Sequence, residues 1–247
     1  MARQSRHDPL PPFLLTRPEA QGDRFADQLR ARFGAETEIR SSPLIAPRFI
    51  ATQLPDSVYS GLIFTSETGV AAFRQISADI RLPAWCVGDR TAAAARAAGL
   101  AAISASGDAA ALAEAIRRSA MPGPFLHLRG QDTRGELADT LNFNGITTHE
   151  AVVYAQDAQP LNDVAVRLLR GTGPVIAPLF SPRTAKLFAA EAARLAVTAP
   201  IWVAALSPAV AREAAAAAPA RLATAVQPDA EALLDAIECL LAAPSQP

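Results

Sequence analysis

The chain has 247 residues and a mass of 25.9 kDa, which at the usual domain size allows one large or two small domains, each able to bury a core. Half of the residues are hydrophobic and 19% are charged, which excludes wholesale disorder. Lys and Arg number 23 against 24 Asp and Glu, and the net charge of -1 argues against a broad nucleic-acid surface or a polybasic membrane patch.

In chain order, residues 1–12 carry Arg3, Arg6 and Asp8 but no apolar stretch, so no secretory signal is read there and a cytoplasmic location is expected. An apolar strand follows at 13–16, then a helix on which Phe25, Leu29 and Phe33 share a face. Residues 36–50 are long, extended and β-rich, with Pro43 and Pro47 as stiffeners. Strands at 62–65, 85–87 and 125–128 alternate with helical stretches, residues 146–160 form a second extended segment, and strands at 175–180 and 201–204 lead to a last helix striped by Leu233, Ile237 and Leu240. Apolar runs alternating with amphipathic helices are the pattern of βαβ units and a parallel sheet. The longest uncharged run, residues 195–211, is interrupted by Pro200 and Pro208 and is too short to span a membrane. Cys86 and Cys239 lack metal-ligand or CxxC spacing and read as free thiols.

The chain also resembles itself. Leu15-Thr16-Arg17 followed by Phe25 and Leu29 matches His127-Leu128-Arg129 followed by Leu137 and Leu141. Thr65-Ser66 with Phe73 matches Phe180-Ser181 with Phe188, and residues 107–116 match 228–237, all in the same order. This points to a duplicated α/β unit. The two long extended segments allow the duplicates either to stand in tandem or to exchange their C-terminal portions, and periodicity does not separate these.

No GxGxxG, Walker loop, GxSxG, HExxH or Cys/His cluster occurs, which removes the usual support for nucleotide, nicotinamide, esterase and zinc chemistry. What remains is a set of strand-to-helix junctions rich in hydroxyls, Gly and Arg. In open α/β sheets such junctions line the ligand crevice, and helix N-termini there offer free N–H groups to anions. Ser and Thr are equally the ordinary N-caps of any helix, so each hydroxyl has two readings. Arg17 and Arg129 directly follow apolar strands and need a partner or an open cleft. His127 reads as a core histidine, His149 as a connector residue and Tyr59 as structural. Tyr154, after Val152-Val153 on the second extended segment, carries a phenol that is protonated at neutral pH and able to donate.

Taken together, Leu15-Thr16-Arg17-Pro18, Ile63-Phe64-Thr65-Ser66 with Gly69-Val70 and Phe73, Val87-Gly88 with Thr91-Ala92, Leu128-Arg129-Gly130, Val153-Tyr154 and Phe180-Ser181-Pro182-Arg183-Thr184-Ala185 resemble, in order and spacing, the uroporphyrinogen-III synthase family. The resemblance implies an α/β fold of two flavodoxin-like doubly wound parallel-sheet domains joined by a two-stranded connector. The first domain is then discontinuous, residues 1–44 and 157–247, with residues 45–156 inserted as the second and connector segments near 42–48 and 150–157.

The resemblance further implies a lyase of porphyrin and tetrapyrrole biosynthesis that uses no cofactor and no metal. Its substrate is hydroxymethylbilane, a linear, multiply carboxylated tetrapyrrole, which is closed to uroporphyrinogen III with loss of water and inversion of ring D. Tyr154 matches the family's acid for the leaving hydroxyl. Thr65, Ser66, Gly88, Thr91, Gly130, Ser181, Thr184 and Ser207 match junctions that bind acetate and propionate side chains, and Arg17, Arg129 and Arg183 would add charge-assisted bonds. A monomer is expected, receiving its substrate by hand-over from hydroxymethylbilane synthase, without nucleic-acid or membrane partners. The sequence departs from the family at Glu67-Thr68, where an Asn is common and Glu67 is expected to face solvent, and at Ser207-Pro208-Ala209. A non-catalytic tetrapyrrole-binding or regulatory module of the same fold is the alternative, and a two-lobed periplasmic-type binding protein a more distant one.

Overall fold

Apolar runs too short for helices, broken by Gly, Pro, Ser and Thr, become buried parallel strands, and the amphipathic stretches between them become the helices that cover the sheets. The computed structural model describes residues 10–76, 81–132 and 136–242, so the N-terminal reading over residues 1–9 lies outside it. In order along the chain come β1 (Phe13–Leu15), α1 (Glu19–Phe33), β2 (Ile39–Ser41), β3 (Ile45–Phe49), β4 (Gly61–Phe64), α2 (Glu67–Ile76), β5 (Ala84–Cys86), α3 (Asp89–Ala97), β6 (Ala102–Ser104) and α4 (Ala109–Arg118). The second half runs through β7 (Phe125–Gly130), α5 (Leu137–Phe143), β8 (Thr148–Ala158), α6 (Asp163–Leu169), β9 (Val175–Leu179), α7 (Pro182–Leu195), β10 (Ile201–Ala205), α8 (Pro208–Ala214), β11 (Arg221–Thr224) and α9 (Ala230–Ala242).

These elements form two compact units. A terminal unit joins residues 1–46 to 158–247, and an inserted unit comprises residues 47–157. The boundaries fall inside β3 and at the end of β8.

The terminal unit holds a sheet of order β11-β10-β9-β1-β2, with parallel pairing throughout. Its central strands β1 and β9 are wholly buried, as strands covered on both faces must be, and they read as continuous apolar runs. Phe13, Leu15, Phe25, Leu29, Leu233 and Ile237 pack one face against α1 and α9. Leu14, Leu179, Val203, Leu169, Phe188 and Val210 pack the other against α6, α7 and α8.

In the inserted unit the order is β3-β8-β7-β4-β5-β6. Strands β8 through β6 pair in parallel. Leu44 O accepts from Gln159 N, and Ile50 N donates to Val153 O, so β3 runs antiparallel to β8. Helices α2 and α3 cover one face around Leu62, Phe64, Phe73 and Val153, while α4 and α5 cover the other around Ile63, Leu112, Phe125 and Leu141.

Leaving β3 aside, the two sheets correspond strand for strand: β2-β1-β9-β10-β11 matches β8-β7-β4-β5-β6. Both have the neighbour order 2-1-3-4-5 of doubly wound folds, with the chain start permuted in the inserted unit. The matched sequence pairs fall on matched elements, β1 with β7, α2 with α7 and α4 with α9.

Candidate active site

In a doubly wound sheet the ligand crevice opens at the carboxyl ends of the strands, where successive crossover helices leave toward opposite faces. That switch lies between β4 and β7 in the inserted unit, since α2 and α5 cover opposite faces, and between β1 and β9 in the terminal unit, where α1 and α7 do so.

At the switch of the inserted unit, Thr65 and Ser66 follow β4, Gly130 ends β7, and Tyr154 arrives from β8. Ser66 Oγ lies 2.9 Å from Tyr154 Oη and also accepts the Gly69 N–H at 3.0 Å, capping α2. Gly69 allows α2 to sit against β7: a Cβ there would approach Leu128 O to 3.0 Å.

Tyr154 reaches this place through a β-bulge. Arg129 pairs with Val152 while Gly130 pairs with Tyr154, so Val153 is an extra residue in β8. Strict alternation would send Val153 and Tyr154 to opposite faces. With the bulge both join one core cluster with Ala151. The ring then crosses Gly130 so closely that a Cβ would fall 2.7 Å from Tyr154 Cζ and 2.9 Å from its Oη. Tyr154 is 8% exposed, its carbonyl accepts from Gln131 N at 2.8 Å, and with Gly130, Gln131, Asp132 and Gln156 it lines a small recess.

The opposite face of the same strands carries a second polar group. His127 is buried with Nδ1 3.3 Å from Glu150 Oε1 and Nε2 3.5 Å from Thr65 Oγ1. A carboxylate only accepts, so Nδ1 is the donor, and Thr65 donates to Nε2 in the neutral ring. Burial holds the imidazole below its ordinary value, partly offset by Glu150. Arg129 Nε is 2.9 Å from Glu150 Oε2, out of line for a hydrogen bond, and Arg129 Nη1 donates to Gly130 O. Glu150 thus supplies the partner Arg129 needs.

The terminal unit repeats the arrangement with different chemistry. Arg17, the counterpart of Arg129, stacks its guanidinium 3.8 Å over the Phe180 ring and donates to Gln21. Thr16 is buried with Oγ1 unpartnered. Ser181 caps α7, accepting the Thr184 N–H at 3.1 Å and lying 2.8 Å from Thr184 Oγ1, with Arg183 between them in the first turn. Ser207 caps α8 in the same way. Gly88 precedes α3 with open space where a Cβ would stand, and Thr91 is buried in the first turn of that helix.

The predicted residues therefore lie at the strand ends of each unit, with Ser66, Gly130 and Tyr154 in one cluster, Thr65 and Arg129 with His127 and Glu150 on the opposite face, and Ser181, Arg183, Thr184 and Arg17 together in the terminal unit. Glu67 is half-buried at the start of α2, where the positive end of the helix dipole favours a carboxylate. Glu150 and the recess residues Gln131, Asp132 and Gln156 were not singled out from the sequence, nor was the pairing of Arg17 with the Phe180 ring; only the neighbouring Arg and Tyr hinted at them.

Residues 23–235 match the profile of the family described as Uroporphyrinogen-III synthase HemD. Among solved structures, the uroporphyrinogen-III synthetase of Helicobacter pylori 26695 is similar at 17% identity and a TM-score of 0.59, over 94% of this chain and 100% of that one. A mutant uroporphyrinogen III synthase of the extreme thermophile Thermus thermophilus aligns over 94% of this chain and 99% of its own at 11% identity, with a TM-score of 0.44. No curated protein matches the sequence. Since the family profile spans most of its length, the chain belongs to the uroporphyrinogen-III synthase family.

Proposed function

We propose that the chain acts as a cyclising hydro-lyase, closing hydroxymethylbilane to uroporphyrinogen III with Tyr154 as proton donor. The phenol proton passes to the hydroxyl on the ring A methylene, which leaves as water. The resulting azafulvenium carbon is attacked by the substituted carbon of ring D, giving a spiro intermediate. The spiro centre fragments and recloses with ring D inverted, and the proton released on rearomatisation returns to the phenolate. The overall change is loss of one water with no net redox, so this chemistry calls on no electron carrier.

The observation that carries the reading is the position of Tyr154: a phenol oxygen brought by a bulge to the strand-end switch point, touching Ser66 and bordering a recess. A general acid must reach the group it protonates, and this one stands where the fold presents ligands. In the terminal unit α7 and α8 begin with proline at the first position and no acid in the first turn, with Arg17 and Arg183 nearby, while Glu19 opens α1; in the inserted unit Glu67 and Asp89 open α2 and α3, beside Arg90 and Arg129. The Thr184 turn, Ser207 and the arginines are thus seats for acetate and propionate groups, and Gly88 and Thr91 offer backbone N–H groups at α3.

Freshly generated hydroxymethylbilane is incubated with the protein and the isomers are separated chromatographically. An excess of isomer III over the spontaneous isomer I is expected. A product distribution equal to that without protein would refute the reading and leave a non-catalytic tetrapyrrole-binding module.

A further inference from the structure

Resting on the assignment of Tyr154 as the donor, we infer that Ser66 and Gly130 are positioning residues for its phenol: Ser66 gives its hydroxyl proton to Oη, and the bare Cα of Gly130 makes room for the ring, so that the phenol's own O–H is directed into the recess.

Three independent observations meet at this phenol. The bulge turns Tyr154 onto the face that β4 and α2 share. On that face the ring occupies the space a Cβ of residue 130 would need, with 2.7 to 2.9 Å between that position and Cζ, Cε2 and Oη; any larger residue must push the phenol aside. Ser66 Oγ takes the Gly69 N–H at 3.0 Å, which commits one lone pair, and stands 2.9 Å from Oη. A hydroxyl holds one proton. Spent on Oη, that proton leaves Oη an acceptor toward Ser66 and a donor toward the recess lined by Gln131, Asp132 and Gln156. It also connects the positive end of α2, through Gly69 N–H and Ser66 O–H, to the oxygen that becomes anionic when the phenol delivers its proton. Ser66 thereby serves the chemistry through Tyr154 rather than by holding a substrate carboxylate.

The two roles separate kinetically. A positioning role predicts that Ser66→Ala lowers kcat for isomer III about tenfold with KM nearly unchanged, that Ser66→Thr restores most of it, and that Gly130→Ala lowers kcat comparably. In a Tyr154→Phe background neither change costs anything further, since the group they position is gone. Because Ser66→Ala also removes the α2 cap, thermal melting accompanies each assay, and Gly130→Ala tests the idea with that cap intact. Tyr154 is one of two tyrosines, so ¹³Cζ-labelled tyrosine gives two resonances, and the one missing in Tyr154→Phe is expected to shift in both variants. A raised KM at unchanged kcat, an equal loss in the Tyr154→Phe background, or an unmoved resonance overturns the inference. Wild-type protein that forms no excess of isomer III would instead sink the proposed function, so the two failures are distinct.

Discussion

Asp108 and Asp229 stand at equivalent places in the two units. Each carboxylate accepts the N–H three residues on, at 2.9 Å from Ala111 N and 2.8 Å from Ala232 N, and so satisfies one of the orphan donors at the start of α4 and α9. The two helices cover corresponding faces of corresponding sheets, α4 beside β5 and α9 beside β10, so the capping motif is carried by the repeat.

Each cap is therefore expected to stabilise its own unit and not the other. Asp108→Ala should cost the inserted unit about 1 kcal/mol and Asp229→Ala should cost the terminal unit about the same. Native-state hydrogen exchange resolves the effect by unit: faster exchange of α4 amides in the first variant and of α9 amides in the second. Faster exchange in both units from either substitution would show that they unfold as one body.

Buried elements were the legible part of the fold. β1, β4, β9 and β10 announce themselves as apolar runs because helices cover both of their faces, and the C-terminal helix shows its stripe because Leu233, Ile237 and Leu240 must reach the sheet. Ile39-Arg40-Ser41, Ala102-Ile103-Ser104 and Arg221-Leu222-Ala223-Thr224 carry no such signal. They are short outer strands, half-exposed, with Ile103 and Leu222 turned to solvent, and the parallel ladder rather than burial holds them. At the site, hydroxyls and arginines at strand ends were readable as types but not as partners. That Arg129 meets Glu150 while Arg17 meets the Phe180 ring depends on which residue the neighbouring strand delivers. The face of Tyr154 was unreadable for a sharper reason: period-2 alternation assigns it to the face opposite Val153, and a one-residue bulge reverses that assignment.

The two cysteines are expected to differ sharply in reactivity. Cys86 is buried in β5 and its thiol is pushed up to about 11 by burial, so almost none of it is thiolate at neutral pH; Cys239 is exposed on α9. A colorimetric thiol reagent at neutral pH should titrate one thiol per native chain at once and the second only on unfolding in denaturant. Cys239→Ser should abolish the fast phase. Two fast thiols would mean that β5 opens readily.

His127 predicts how stability responds to acid. Its folded-state affinity for a proton is held below the ordinary value of 6.5 by burial, against the opposing pull of Glu150. The unfolded chain therefore takes up the proton first as pH falls, and stability is lost from about 6.5 downward to the folded value, at no more than about 1.4 kcal/mol per pH unit. Urea unfolding of wild type and His127→Gln should give curves that stay parallel above neutrality and converge or cross below it. Glu150→Gln, by removing the group that raises the imidazole, should extend the loss to lower pH. A His127→Gln curve parallel to wild type throughout would mean that the imidazole titrates alike in both states.

Replacing Tyr154 by Phe keeps the ring over Gly130 and removes only Oη, whose neighbours are Ser66 and the recess. General acids typically contribute about 10² to 10⁴ in rate, and a hydroxymethyl group on an electron-rich pyrrole departs readily by itself, so the loss is placed at the lower end, about 10² in kcat. The direction of closure depends on how the bent chain is held, not on who protonates the leaving hydroxyl, so isomer III is expected to remain the main enzymatic product. Single-turnover assays with enzyme in excess, read by isomer chromatography, separate the two effects. Unchanged turnover would remove Tyr154 as donor, and a product shifted to isomer I would instead make the phenol part of what orients the bilane.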